Sequence, residues 1–167
     1  MSNFDGAKTG SVRLVTAAES VSALAKNNAA LAGDAALTDF ANRLRTISKL
    51  GARVLYQSVR FDGTYKGSYV YSTTARVTDE AGYLKALDGL RALFDAKGFQ
   101  DAKINVYRVL AGRTNFTHRV SIAVPSNERL AAMLDFLGSD AQMAAWLADA
   151  AKYRTVVGNM TSHDIVQ

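Results

Sequence analysis

The sequence predicts an α+β fold, an antiparallel sheet with helices on one of its faces. Three observations lead there. Segments of alternating polarity, rich in β-branched and aromatic residues (RVLYQSVRF, SYVYSTTARVT, KINVYRVL, THRVSIAV), are interleaved with segments whose apolar residues return at helical spacing. The order of these segments gives three successive β–α–β units. The 167 residues are 49% hydrophobic and 21% charged with a single proline, which is enough apolar material for a well-buried core and too much for a disordered chain.

The elements follow in order. Residues 1–10 read as a flexible start. Ser11–Thr16 alternates Val12, Leu14 and Thr16 as a short strand. Ala17–Leu31 is alanine-rich with Val21, Leu24 and Leu31 at helical spacing. Gly33 interrupts it, and Asp34 is placed to cap a second helix whose face carries Leu37, Phe40, Leu44 and Ile47, with Gly51 as the stop. Arg53–Phe61 alternates as a strand. Asp62-Gly63 then suggests a turn into Ser68–Thr78, so these two strands are expected to form a hairpin.

Thr78, with Asp79 and Glu80 behind it, marks the next helix start, where acidic side chains meet the positive end of the dipole. Leu84, Leu87, Leu90 and Phe94 give its buried stripe, and Lys97-Gly98 ends it. Lys103–Leu110 and Thr117–Val124 are strands joined through Ala111–Asn115. Pro125, which cannot donate to a ladder, stands where the second of them stops. Ser126 or Asn127 caps a helix carrying Leu130, Met133, Leu134 and Leu137. Ser139-Asp140 caps another bearing Met143, Trp146, Ala150 and Tyr153, and Gly158-Asn159 leads into a last strand, Met160–Val166.

These elements divide as an N-terminal β–α–β unit over 11–63 and a βαββαβ unit over 64–167, together one compact domain. The second is the ferredoxin-like pattern, a four-stranded antiparallel sheet with helices on one face. Its other face is expected to carry Asn105, Tyr107, Arg119 and Ser121, and to need a cover. The first and third units echo each other. Asp34 matches Asp140, Leu37 matches Met143, Phe40 matches Trp146 and Ile47 matches Tyr153, either by duplication or as one structural solution used twice.

On the HRVSIAV strand, the SDAQMAAWLADAAKYR helix and the closing strand, the chain from about Ser68 to Val166 resembles the dimeric α+β-barrel superfamily of the antibiotic-biosynthesis-monooxygenase type. The resemblance implies two ferredoxin-like sheets packed face to face, usually between subunits. It also implies a cavity between them for a small molecule, or cofactor-independent chemistry there. The extra N-terminal unit departs from the single-domain pattern.

Composition excludes several functions. The absence of cysteine removes disulfides, thiolate nucleophiles and iron–sulfur sites. No glycine-rich phosphate loop, GxSxG elbow, HExxH or calcium loop occurs. No apolar run approaches the ~18 residues that span a bilayer. The opening MSNFDGAKTG does not read as a signal peptide, and the compartment stays open between cytoplasmic and, if a signal has been removed, periplasmic or secreted. The net charge of +5 is scattered, the nearest cluster being Arg43, Arg45, Lys49 and Arg53, which is a solvated face rather than a phosphate-binding patch.

His118 and His163 are the only histidines and the catalytic candidates, since imidazole beside a carboxylate suits a general base. His163 adjoins Asp164, but strand neighbours point to opposite faces. A partly exposed strand histidine is the blander reading of each. Tyr107, Arg119 and Asp164 are the ligand-binding candidates. No metal or cofactor is expected, because two histidines on different strands lack an identified third ligand. Trp146 reads as core. Tyr69, Tyr71 and Tyr107 beside Arg76, Arg108 and Arg119 sketch a base-stacking surface, but KINVYRVL has one tyrosine where RNA-recognition strands carry several rings, so nucleic-acid binding ranks last. The expected function is a small-molecule-binding or cofactor-independent enzyme domain that self-associates. The alternative is a non-catalytic oligomerisation domain whose open sheet face is closed by a partner.

Overall fold

The fold is described for residues 17–47, 54–112 and 114–163 of a computed structural model. The strand expected at Ser11–Thr16, the stop at Gly51 and the candidate Asp164 lie outside the described residues. The chain divides into two compact units, a helical one within residues 11–52 and a sheet unit from residue 53 onward.

In the helical unit, Ser20 caps α1 (Val21–Leu31) by accepting from the Ala23 N–H at 3.0 Å. Asp34 starts α2 (Ala35–Ile47), its carboxylate accepting from the N–H groups of Ala36 and Leu37 at 2.8 and 3.0 Å, so two of the free donors of the first turn are satisfied. The echo with the last helix holds for this cap and fails for burial. Leu37 and Phe40 are 38% and 47% exposed, whereas Met143 is 2% exposed. The difference is one of surroundings, because Met143 belongs to a helix that closes over a sheet.

The sheet unit carries β1 (Leu55–Arg60), β2 (Tyr69–Val77), α3 (Glu80–Ala96), β3 (Lys103–Ala111), β4 (His118–Val124), α4 (Asn127–Ser139), α5 (Ala141–Ala150) and β5 (Arg154–His163). All strand pairs are antiparallel, in the order β1-β3-β4-β2-β5. Strands β2 to β5 are the ferredoxin-like βαββαβ arrangement, and β1 extends it at the β3 edge. Among the described residues the sheet is open, with β1 and β5 at its edges, and is not closed into a barrel.

The expected hairpin between β1 and β2 does not form. Asp62-Gly63 is spent on β3 instead: the Asp62 N–H donates to Asn105 Oδ1 at 2.9 Å, the Asp62 carboxylate accepts from the Ile104 N–H at 3.2 Å, and Asn105 Nδ2 donates to the Gly63 carbonyl at 2.9 Å. Residues 61–68 are too long a link to impose a two-residue hairpin, so side-chain hydrogen bonding decides the pairing. Gly63, at φ +107°, holds a conformation that side chains disfavour.

Alternation places Ile104, Val106, Val120, Ile122 and Val124 on one face, packed with Tyr83, Leu87, Leu90 and Phe94 of α3, Leu130 and Met133 of α4, and Met143 of α5. Helices α3, α4 and α5 therefore share that face. Tyr83 joins the α3 stripe more deeply than Leu84, which is partly buried. The α3 cap is Asp79, not Thr78: Asp79 Oδ1 accepts from the Gly82 N–H at 3.0 Å, while Thr78 donates its N–H and its hydroxyl to the Tyr153 carbonyl at 2.9 and 3.1 Å. Asp140 caps α5 as expected, accepting from the N–H groups of Gln142 and Met143. The last strand begins earlier than expected, at Arg154. Gly158-Asn159 lies inside it, beside a register shift opposite Thr74 and Ala75, where the strand carries its bulge.

Gly82 marks a close approach. A Cβ there would meet Asp79 Oδ2 and the Tyr153 ring at 2.5 Å. Gly82→Ala is expected to destabilise the protein by about 1–3 kcal/mol through overpacking, read as a lower urea midpoint. Gly138→Ala, where a Cβ meets nothing within 4 Å, is the control.

Candidate functional site

The candidate residues fall in three places. His118, the first residue of β4, points to the helix-bearing face, is 5% exposed, and pairs in register with Ala75. Tyr107 and Arg119 are register partners on the opposite face. His163 ends β5, exposed and opposite Tyr69, whose ring it stacks on at 4.2 Å. Ala75 and Tyr69 are six residues apart on β2, so about 20 Å separates the two histidines at ~3.3 Å per residue. They do not form one centre.

His118 is held by groups that the sequence did not mark for a site. Its Nε2 meets Glu80 Oε2 at 2.8 Å, and its Nδ1 meets Thr117 Oγ1 at 3.0 Å. Arg108 Nη2 donates to the other Glu80 oxygen at 2.6 Å. Glu80 is the first residue of α3, where the helix dipole favours a negative charge. Burial raises the Glu80 carboxyl, but hydrogen bonds from His118 and Arg108, and the charges of both, outweigh it and hold the group below its ordinary value.

Thr117 itself is pinned on both sides. Its N–H donates to the Ala75 carbonyl at 3.0 Å and its carbonyl accepts from the Val109 N–H at 2.8 Å. Its hydroxyl oxygen accepts from the Val77 N–H at 2.9 Å. Chain order explains the cluster. The end of β2 lies beside the start of β4, and α3 begins directly after β2, so Glu80 meets His118 as a consequence of the βαββαβ order.

On the face opposite α3, α4 and α5, Arg119 Nη2 donates to Ser72 Oγ at 2.8 Å, and the Ser72 and Ser121 hydroxyls meet at 3.0 Å. Ser72 and Ser121 are buried, 1% and 6% exposed. Tyr107 stands edge-on to Tyr56, centroids 6.1 Å apart. Tyr69 and Tyr71 pack toward the helices instead, so the three tyrosines do not make one stacking surface with the arginines.

Cavities among the described residues lie elsewhere. One of about 170 Å³ opens between α4 and β5, lined among others by Tyr69, Leu130, Leu134 and Thr161. One of about 320 Å³ lies along α1. Neither is lined by His118, His163, Tyr107 or Arg119. Trp146 is scaffold, its Nε1 donating to the Ala86 carbonyl at 2.6 Å. Among the described residues no three His, Asp or Glu side chains are grouped to hold a metal, and no helix is long and apolar enough to cross a membrane.

The fold defines an α+β protein with a ferredoxin-like sheet. No family model, no curated protein and no solved structure matches the chain.

Proposed function

We propose that the chain is a small-molecule-binding domain of the dimeric α+β-barrel kind, in which the sheet faces opposite the helices of two copies turn toward each other. The observation that carries this reading is the Arg119–Ser72–Ser121 ladder. It holds the Arg119 guanidinium, through the buried Ser72 and Ser121 hydroxyls, at the middle of a sheet face whose neighbours include two tyrosine rings. A few convergent polar groups among aromatic ones are the usual makeup of a small-ligand site, and a guanidinium favours an anionic group. The ligand class is then a small anionic ring compound, with Tyr107 beside its ring and Arg119 on its charge.

Two measurements test it on the full chain. Light scattering at micromolar concentration is expected to give the mass of two chains, and a clean monomer would sink the intersubunit barrel. Benzoate, as a probe, is expected to raise the thermal midpoint of the parent protein and not of Arg119→Met. An equal shift in both, or none in the parent, removes the ligand reading.

The second reading, a non-catalytic association domain, is favoured by the burial of Ser72 and Ser121, which closes their hydroxyls to a ligand. A dimer that no benzoate stabilises would be its signature.

A further inference from the structure

Thr117, His118 and Glu80 lie in the order of a hydroxyl–imidazole–carboxylate relay, at the strand end remote from His163. Thr117 is exposed to solvent, His118 is buried behind it, and Glu80 follows. The hydroxyl proton has two acceptors within reach: His118 Nδ1 at 3.0 Å and the Ala75 carbonyl at 3.4 Å. The shorter contact decides for Nδ1. The Val77 N–H at 2.9 Å already donates to the oxygen, so its position is fixed before any substrate arrives. On the other side of the ring, Glu80 accepts from Nε2, which leaves Nδ1 as the basic nitrogen facing Thr117. Arg108 in turn holds the second Glu80 oxygen.

From this geometry we infer that Thr117 is a nucleophile for acyl transfer, with His118 as its general base and Glu80 as the positioning residue. A nucleophile within hydrogen-bond reach of a base, itself oriented by a third group, is the general form of an activated hydroxyl. The substrate class is an activated carboxylic ester. Thr117 Oγ1 attacks the carbonyl carbon as its proton passes to His118 Nδ1. The Nε2–H of the resulting imidazolium stays on the Glu80 carboxylate. Collapse of the tetrahedral adduct breaks the bond to the leaving alcohol, which takes the proton from Nδ1 and leaves an acyl-threonine. Water then attacks that ester with His118 again taking the proton, releasing the carboxylic acid and restoring the hydroxyl. No cofactor enters the balance.

Arg76 is next along β2 to the register partner of His118. It follows Ala75 on β2, is exposed, and is tied through Nε to the Asn115 carbonyl at 2.7 Å.

The test is acylation of the full-length protein by p-nitrophenyl acetate, followed by release of nitrophenolate and by peptide mass mapping. An acetyl group on Thr117 is expected, together with a burst of nitrophenolate. Thr117→Val, which removes the hydroxyl and keeps the shape, is expected to abolish both the burst and the adduct. Glu80→Gln, which keeps the shape of the side chain, is expected to slow acylation by about 100-fold, the scale of a lost general base. His118→Asn is expected to do the same, with near-ultraviolet circular dichroism reporting whether it has folded. Acetyl groups on lysines alone would overturn the proposal. So would a Thr117 adduct that forms at the parent rate in folded Glu80→Gln.

Discussion

Replacing Phe94 by alanine is expected to lower the unfolding free energy by about 3–5 kcal/mol, read from urea denaturation. Phe94 is fully buried on α3, its ring centroid 5.7 Å from those of both Phe99 and Phe136. The site cannot collapse easily into the space left behind, because its neighbours are anchored independently. The Phe99 N–H donates to the Phe94 carbonyl at 2.8 Å, and the Arg129 guanidinium sits 4.4 Å over the Phe99 ring. Arg129 is fixed in turn by a two-pronged ion pair with Asp101, Nε to Oδ2 at 2.8 Å and Nη2 to Oδ1 at 2.6 Å. The transfer loss and the residual cavity therefore add. Leu147→Ala removes a side chain that is 42% exposed and is expected to stay within about 0.5 kcal/mol of the parent. A loss below about 1 kcal/mol at Phe94 would show that the ring cluster repacks.

Local signals made much of this fold legible. The caps at Asp34 and Asp140 announce themselves because a short acidic side chain before an apolar stripe has one physical use there. The pairing of β3 with β4 follows from two alternating segments separated by a short polar stretch. The same alternation correctly put Asn105, Tyr107, Arg119 and Ser121 on one face. What was not legible depended on partners distant in sequence. Asp62-Gly63 carries a hairpin signal that is outweighed by Asn105, and nothing near Asp62 announces that competitor. The candidate site shows the same limit. His118 is conspicuous as one of two histidines, but Glu80 reads locally as an ordinary first-turn carboxylate and Thr117 as a strand end. Thr117 adjoins His118 in the chain, and only the strand order brings Glu80 to it. A fuller use of the βαββαβ order, which sets the start of α3 beside the start of β4, could have found Glu80.

Substituting Glu80 by glutamine or alanine is expected to have the second large effect, and its pH dependence is the sharper readout. In Glu80→Ala the buried His118 Nε2 loses its acceptor. The Arg108 side chain is 43% exposed, so water can replace the carboxylate for it. The cost is therefore led by His118 and is expected at about 1–3 kcal/mol at neutral pH. Glu80→Gln retains an oxygen for His118 but removes the charge that Arg108 and His118 favour, so its loss isolates the electrostatic part. The sign follows from the lowered pKa of Glu80 in the folded protein. Between the folded and unfolded values the unfolded chain binds more protons, so stability rises with pH across that window. The carboxylate's contribution is present above the usual 4.5 and is lost as pH falls through the folded value. The difference in urea midpoint between the parent and Glu80→Gln should thus be widest at neutral pH and close in acid. A gap that stays constant across that range would mean that the carboxylate acts through its shape and not its charge. Asp101→Asn gives the matching comparison at the other end of α3, where hydrogen bonds from Arg129 lead in holding the carboxyl below its ordinary value. Its gap should also close in acid while acylation at Thr117 stays at the parent rate, which separates a stabilising ion pair from the one that positions His118.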